Sequence, residues 1–504
     1  MKNSLGRVVP DTFTPFTTSD AFTSIPRKQI QEKSKNQPIK VFHSMEDLID
    51  ELQIKDGATL SFHHHLRSGD DVINRVCTSL HKRQIRNLTL APSSIFPTYT
   101  GIELLIKAGF VKDIHTNYLS GGVSDLIHQG LLQGLLIMNT HGGRARLIES
   151  GDVSIDVAFL STPAVDKQHN GCGTLGKNAC GTLGYAQSDL RYAKQVVLVT
   201  DSLVDKIEQI DFDHHYVDYV LLLDSIGEAE GIVSGTTKLT KDPVGIKIAK
   251  DTTKLINALG LIKNGFSMQT GAGGISLAVA EFVKHEMIKQ GVKGSFASGG
   301  IGKQYVQMLE LGLFERLYDV QCFDLDAVSS YKQNRHHLAM SASQYGNPFD
   351  ADPIVNQLDV VVLGATEIDL SFHTNVTTDS FGKVIGGSGG HSDTAYGAKV
   401  SIITTQLIKS RLPIIKKQVT TITTPGETVD VLVTERGIAI NPLRKDLIEL
   451  LQDSTLPITS IESLYELQHT YTGIPATLEQ SSEVVGVVMY RDGSIVDTIR
   501  KKIS

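Results

Sequence analysis

A chain of 504 residues is too long for one hydrophobic core, so two or more domains are expected. Its 48 basic and 55 acidic side chains leave a formal net charge of −7, which argues against nucleic acid and against an anionic membrane surface. With 40% apolar and 20% charged residues the composition is that of a globular protein, and no run approaches the ~18 apolar residues of a membrane span. The start, Met1-Lys2-Asn3-Ser4, is not followed by an apolar signal segment. Cys77, Cys172, Cys180 and Cys322 lack CxxC spacing, which points to neither a disulfide framework nor a zinc site. Cytoplasmic residence and no bound metal are the expectations.

Residues 1–40 are polar, with Pro10, Pro15, Pro26 and Pro38 spread through them. They predict an irregular arm, either lying along the first domain or a neighbouring subunit, or left as a disordered tail. Ser44 then caps a helix over Met45–Leu52. A short strand, Ala58–Phe62, ends in His63-His64-His65. A helix over Asp71–His81 places Val72, Val76 and Leu80 on one face. Arg86–Ala91 is a strand, Ile102–Ala108 a helix, and Ile114–Leu119 an extended segment. Val153–Leu160, Gln195–Thr200 and Val217–Leu223 are further strands, with a glycine-rich stretch from Gly171 to Gly184 between the first two. Strands alternating with helices predict βαβ units and a largely parallel sheet.

The second half echoes the first. Asp156-Val157-Ala158-Phe159-Leu160 precedes Val165-Asp166 at the spacing by which Asp359-Val360-Val361-Val362-Leu363 precedes Ile368-Asp369. Ser120-Gly121-Gly122-Val123 resembles Ser298-Gly299-Gly300-Ile301. Gly57 begins a strand ending at the histidines, and Gly265 one ending at Gly271-Ala272-Gly273-Gly274. The shared order predicts a duplication. The α/β chain is expected to comprise the arm (1–40) and two similar domains at 41–236 and 237–504, dividing near Ser234-Gly235-Thr236. A ligand site is expected where the two meet.

Gly386-Gly387-Ser388-Gly389-Gly390-His391-Ser392-Asp393 carries the densest chemical signal. Four glycines in five positions let a second molecule lie on the main chain, and successive N–H groups there form an anion site. The halves also diverge in a consistent direction. One supplies imidazoles and Arg67; the other supplies glycine backbone at 271–274, and Glu367 where the first half has Ala164. That complementarity suits two anionic reactants bound together. The histidines occupy consecutive positions and cannot all converge on one metal ion. Gly271–Gly274 lacks the G-x-G-x-x-G spacing of a dinucleotide-binding loop.

Six segments together are similar to the citrate lyase alpha family: Ser61–Arg67, Phe296–Ile301, Leu317–Asp324, Gln357–Leu363, Gly389–Ala395 and Val433–Ala439. The resemblance covers nearly the whole chain. It implies two tandem CoA-transferase-like α/β domains with largely parallel sheets and the active site at their junction. The implied activity is citrate CoA transfer, in which citrate replaces acetate on the thiol of an acyl carrier protein. No cofactor is held permanently. The CoA-like prosthetic group of the carrier, or a CoA thioester, is the substrate. Beta and gamma chains are the implied partners, and a homo-oligomer is expected.

Related transferases use a glutamate that accepts the acyl group, but the matching place here, Ser298-Gly299-Gly300, has no carboxylate. Direct attack of a citrate carboxylate on the acetyl thioester is therefore expected. On this reading Gly389-Gly390 and Gly271–Gly274 donate to the oxyanion, and Glu367 orients the substrate or acts as a base for the citrate hydroxyl or carboxyl. His63, His64, His65, Arg67, Ser298, Gly299, Gly300 and His391 contact citrate, with Arg144 a further candidate cation. Gly271, Ala272, Gly273, Gly274, Gly386, Gly387 and Ser388 hold the thioester. His373 is polar strand-end material with an open role. A general acyl-CoA transferase or thioesterase, and a non-catalytic docking subunit, are the competing readings.

Overall fold

The computed structural model describes residues 1–21, 38–233, 238–473 and 481–502. The expected boundary at Ser234-Gly235-Thr236 lies outside the described residues.

Buried runs rich in Val, Ile and Leu form two large sheets, as expected for strands covered on both faces. The first has ten strands in the spatial order Lys40–Phe42, Tyr219–Leu222, Gln195–Thr200, Val157–Ser161, Thr59–Phe62, Leu88–Pro92, Val111–Thr116, Leu136–Met138, Val484–Met489 and Ile495–Arg500. All pairings in it are parallel except the last. The second has nine: His337–Ala339, Phe314–Cys322, Gly294–Ile301, Ser267–Thr270, Val360–Gly364, Val400–Thr404, Val431–Thr434, Gly437–Ile440 and Ile458–Thr459. Helices pack on the sheets. The helix Met45–Leu52 begins where the sequence places it, with Ser44 Oγ accepting from the Asp47 N–H.

The central strands of the two sheets share one order, which places His63 and Gly271 at equivalent positions. Leu60 pairs with Val157 as Met268 pairs with Val360. Asp156 accepts from Thr59 N at 2.8 Å, and Asp359 from Ser267 N at 2.9 Å. One expected echo fails. Ser298-Gly299-Gly300 lies inside a strand, whereas Ser120-Gly121-Gly122 leads into the helix Gly122–His128. Register makes Ala91-Pro92-Ser93 the true counterpart of Ser298–Gly300. Glycine in both segments hid this difference.

The 237–504 span does not fold as one unit. Its last hairpin, Val484–Arg500, extends the first sheet beside Leu136–Met138. The described part of the arm is fastened to the same hairpin. Asn3 Nδ2 donates to the carbonyls of Ile495 (3.0 Å) and Val496 (2.8 Å), and Phe16 is buried against Tyr490. Arm and hairpin then bridge to the second half, through Arg7 to Val419 O and through Arg491 to Asp393.

Arg491 and Asp393 are both fully buried, with Nε 3.0 Å from Oδ1. Asp393 also accepts from Thr140 Oγ1 and Gly142 N, both at 2.9 Å, and Arg491 donates to Gly346 O at 3.0 Å. Gly142 and Gly346 lie where the helices His141–Glu149 and Ala342–Gly346 meet, so close that a Cβ on Gly142 would collide with Gly346 O. Replacing Asp393 with alanine strands a buried guanidinium. We expect about 3–5 kcal/mol of destabilisation, read as an earlier denaturant midpoint. An unchanged midpoint would show that the pair does not hold the halves together.

Candidate functional site

In a parallel α/β sheet, ligands bind beyond the carboxyl ends of the strands. Here the carboxyl ends of both sheets meet in one seam. The first sheet contributes His63–His65, Ser93, Asn117 and Thr140-His141. The second contributes Gly271, Gly299-Gly300, Phe323 and Gly364. Gln321 Nε2 donates across the seam to His64 O at 2.7 Å.

Each half also pushes a loop into the strand ends of the other. Gly386–Gly389 behaves as an added strand. Leu119 N donates to Gly386 O (3.1 Å), Gly389 N to Asn117 O (3.1 Å), and His141 N to Gly389 O (2.8 Å). In return, Gly181 and Gly184 press on Cys322 and on the carbonyls of Val320 and Met340, where a Cβ would collide.

These contacts redefine the glycine loop. A Cβ would collide with Val376 O at Gly386 and with Asn117 O at Gly387, so both glycines serve close backbone packing. Gly389 has φ +50°, and its N–H is spent on Asn117 O, which removes it as an oxyanion donor. Among the described residues the N–H groups of Gly387, Ser388 and Gly390 have no protein acceptor. Gly390 lies against the Tyr345 hydroxyl, where any side chain would collide.

All three histidines of the triplet are buried, but they do not converge. The Nδ1 atoms of His63 and His65 are in contact, whereas His64 turns its Nδ1 to Ser93 Oγ at 2.6 Å and stacks on Tyr185 at 4.6 Å. His65 Nε2 accepts from Tyr185 N at 3.3 Å. Burial pushes His63 down to about 3 and His64 and His65 well below the ordinary imidazole value. They are neutral rings.

His391 is likewise not the expected cation. Burial pushes it down to about 4, its Nε2–H donates to Gly364 O at 3.0 Å, and Nδ1 meets Thr424 Oγ1 at 2.7 Å. Arg144 is neutralised by Asp189, at 2.7 Å, and also binds Ser61 and Ala91 O. Arg67 also lies in the seam. Its backbone has φ +51°, it is 9% exposed, and its guanidinium lies 5.4 Å from the Phe96 ring and 5.2 Å from the Phe323 ring. One ring comes from each half.

Glu367 is enclosed elsewhere. Its carboxylate accepts from Thr420 N (2.8 Å), Asn375 Nδ2 (3.0 Å) and Thr420 Oγ1 (3.2 Å), with Lys416 Nζ at 3.6 Å. This geometry gives it a strand-end structural role. His373 Nδ1 accepts from Gly426 N at 2.8 Å, a turn contact. Ser298 Oγ is spent on Gln269 Oε1 at 3.0 Å. Gly299, at φ +105°, lies on the Gln269 side chain, and Gly300 lies on the Phe323 ring. Gly271 N donates to Val362 O, but Ala272, Gly273 and Gly274 open the 17-residue helix Gly274–Gln290 without a side-chain cap, and Gly273 faces open space. Free N–H groups at the positive end of a long helix favour an anion.

Two hydrogen-bond chains flank Gly389-Gly390, and sequence reading missed both. In one, Asn117 Nδ2 lies 2.8 Å from His141 Nδ1, and His141 Nε2 3.0 Å from Tyr185 Oη. In the other, Gln269 links Ser298 to Tyr345 Oη, the last step at 2.8 Å. His141 stands in the His141-Gly142-Gly143-Arg144 segment that drew notice only for its arginine. The buried Asp319, Cys322 and His337 also cluster, with Cys322 Sγ (3.0 Å) and His337 Nε2 (3.1 Å) both bonded to Asp319 Oδ2.

The neutral rings set the response to acid. The folded values near 3–4 for His63, His141 and His391 lie below the ordinary 6.5. The unfolded chain binds more protons between those limits. Stability is therefore present above pH 6.5 and lost as pH falls through the window, by about 1.4 kcal/mol per pH unit for each ring. Denaturant unfolding at about pH 7 and about pH 5 measures this, and a flat profile would contradict neutral burial.

Comparison with known proteins gives the following. The family profile described as citrate lyase, alpha subunit (CitF), matches residues 38–502. The citrate lyase alpha chain of Klebsiella pneumoniae is 41% identical over 495 residues, covering 98% of this chain and 97% of that one. A Streptococcus mutans crystal structure, assigned as the alpha subunit of citrate lyase in complex with citrate, is 40% identical with a TM-score of 0.96 and full coverage of both chains. A Pseudomonas malonate decarboxylase hetero-tetramer shares the fold, with a TM-score of 0.63 at 15% identity over 88% of this chain and 96% of that one.

Proposed function

This chain belongs to the citrate lyase alpha-subunit family, the citrate CoA-transferase component of that enzyme, and we propose that its exchange takes place in the seam between the two sheets. Acetyl carrier protein and citrate enter; citryl carrier protein and acetate leave. A buried guanidinium on one half and unpaired backbone N–H groups at strand ends of the other carry this reading. A citrate with about three negative charges needs a cation, and a CoA-like arm with phosphates needs an anion site. Arg67, held between a ring of each half, supplies the first, and Ala272–Gly274 at the helix start supplies the second. The citrate complex of the Streptococcus mutans relative supports citrate as the acceptor.

The chemistry we infer is direct exchange. A citrate carboxylate oxygen attacks the acetyl thioester carbon, the C–S bond breaks, and the thiolate leaves with the electron pair. The thiolate then attacks the citryl carbonyl of the mixed anhydride, and acetate departs. Two features support a route without an enzyme-bound acyl group: Ser298–Gly300 offers no carboxylate, and Glu367 is closed into its own hydrogen bonds. The protein's part is orientation and charge. Holding two anions in attack geometry contributes several kcal/mol, and each oxyanion donor about 3 kcal/mol. The N–H of Gly390 is the donor we assign from the glycine loop. The thiol belongs to the carrier subunit, and a beta subunit consumes the citryl product. Four free, buried cysteines fit a reducing cytoplasm.

Removing the cation as Arg67→Met withdraws a charged contact of about 1.5–3 kcal/mol. We expect the KM for citrate to rise roughly 10- to 150-fold with kcat less affected; an unchanged KM would remove Arg67 from the citrate site. Hydroxylamine or borohydride treatment of enzyme incubated with acetyl thioester checks the route. Unmodified glutamates are expected, and a trapped glutamyl derivative would replace direct exchange with a covalent one.

A further inference from the structure

The chain Asn117–His141–Tyr185 has a direction. The Asn117 amide, as placed, offers N–H to His141 Nδ1 at 2.8 Å, so Nδ1 accepts. Burial and the nearby Arg144 guanidinium push His141 down to about 3, so the ring is neutral and its single proton sits on Nε2. Nε2–H then donates to Tyr185 Oη at 3.0 Å. The phenol accepts there, which leaves its own proton for another acceptor, and among the described residues no protein group takes it. The ring is fixed by stacking on His64 at 4.6 Å and by a tilted contact with His141 at 4.3 Å. Burial raises the phenol well above its ordinary value, so it stays protonated. The position is the seam itself: His141 N bonds Gly389 O, and a Cβ on Gly389 would lie 3.2 Å from His141 Nε2.

We propose that Tyr185 donates its phenol proton as a hydrogen bond to the tetrahedral oxyanion formed beside Gly389-Gly390, and that His141 and Asn117 are positioning residues which set that donor's direction. The proposal rests on the exchange reaction inferred above. It gives the oxyanion a second donor beside the Gly390 N–H, replacing the Gly389 N–H that is spent on Asn117 O. The relay is polar in one sense only. An acceptor in place of the Asn117 amide would put the imidazole proton on Nδ1, turn Nε2 into an acceptor, and capture the phenol proton.

Three variants of the full chain, assayed in the complex with acetyl-loaded carrier and citrate, test this. In Tyr185→Phe, which keeps the ring and its stacking, kcat is expected to fall roughly 10²-fold. The citrate KM should stay within about twofold and the thermal midpoint close to wild type, because the bond forms only in the transition state. Asn117→Asp, which supplies the acceptor, should show a comparable loss. The double variant should be no slower than the slower single one, because both changes remove the same donor. Full kcat in Tyr185→Phe overturns the proposal even if Asn117→Asp fails to fold, and so do losses that multiply in the double variant. Absence of exchange by the wild-type complex would instead refute the reaction assignment, so the two failures are distinguishable.

Discussion

The seam depends on one buried ion pair. Asp393 and Arg491 are both withdrawn from water, which costs several kcal/mol per ion unless each is fully partnered. Their partners come from every part that must be assembled: Thr140 and Gly142 from the first half, Gly346 from the second, and Arg491 from the terminal hairpin. Burial pushes the Asp393 carboxyl up, and Arg491, Thr140 and the Gly142 N–H oppose that shift. A carboxylate that needs donors from across the junction gives the two sheets a reason to meet in one register. The close approach of Gly142 to Gly346 fixes how near they come.

That register decides what each group can do. The exchanged loops fill the strand ends, and most of their glycines serve contact between backbones. The surrounding imidazoles are held neutral, and Arg67 lies between the Phe96 and Phe323 rings. Aromatic faces on either side of a guanidinium stabilise it without neutralising it. Arg144 is closed onto the Asp189 carboxylate and contributes architecture.

Much of this was legible in the sequence. Apolar β-branched runs separated by helical periods gave the parallel sheets, and the Asp-Val echoes revealed the duplication. The equivalence of His63–His65 with Gly271–Gly273 survived, because a strand end is fixed by register. Ser298-Gly299-Gly300 misled, because a glycine pair can be a bulge inside a strand as readily as a helix start. His391 and Glu367 misled for another reason. Residue type reports which charges are possible, but only burial and partners decide which persist. Tyr185, Tyr345, Gln269 and Asn117 were silent because each draws its role from a neighbour distant in sequence. The hairpin at Val484–Arg500 gave no sign of belonging to the other half, since a strand's own residues do not name the sheet edge it will join.

That hairpin has a consequence for biosynthesis. The edge strand Leu136–Met138 leaves the ribosome long before its partner, Val484–Met489. Until then the growing polypeptide has an open β edge and no Arg491 to neutralise Asp393. A product truncated before the hairpin therefore lacks the ion pair that joins the two sheets. Assembly of the seam therefore waits until the hairpin has been made.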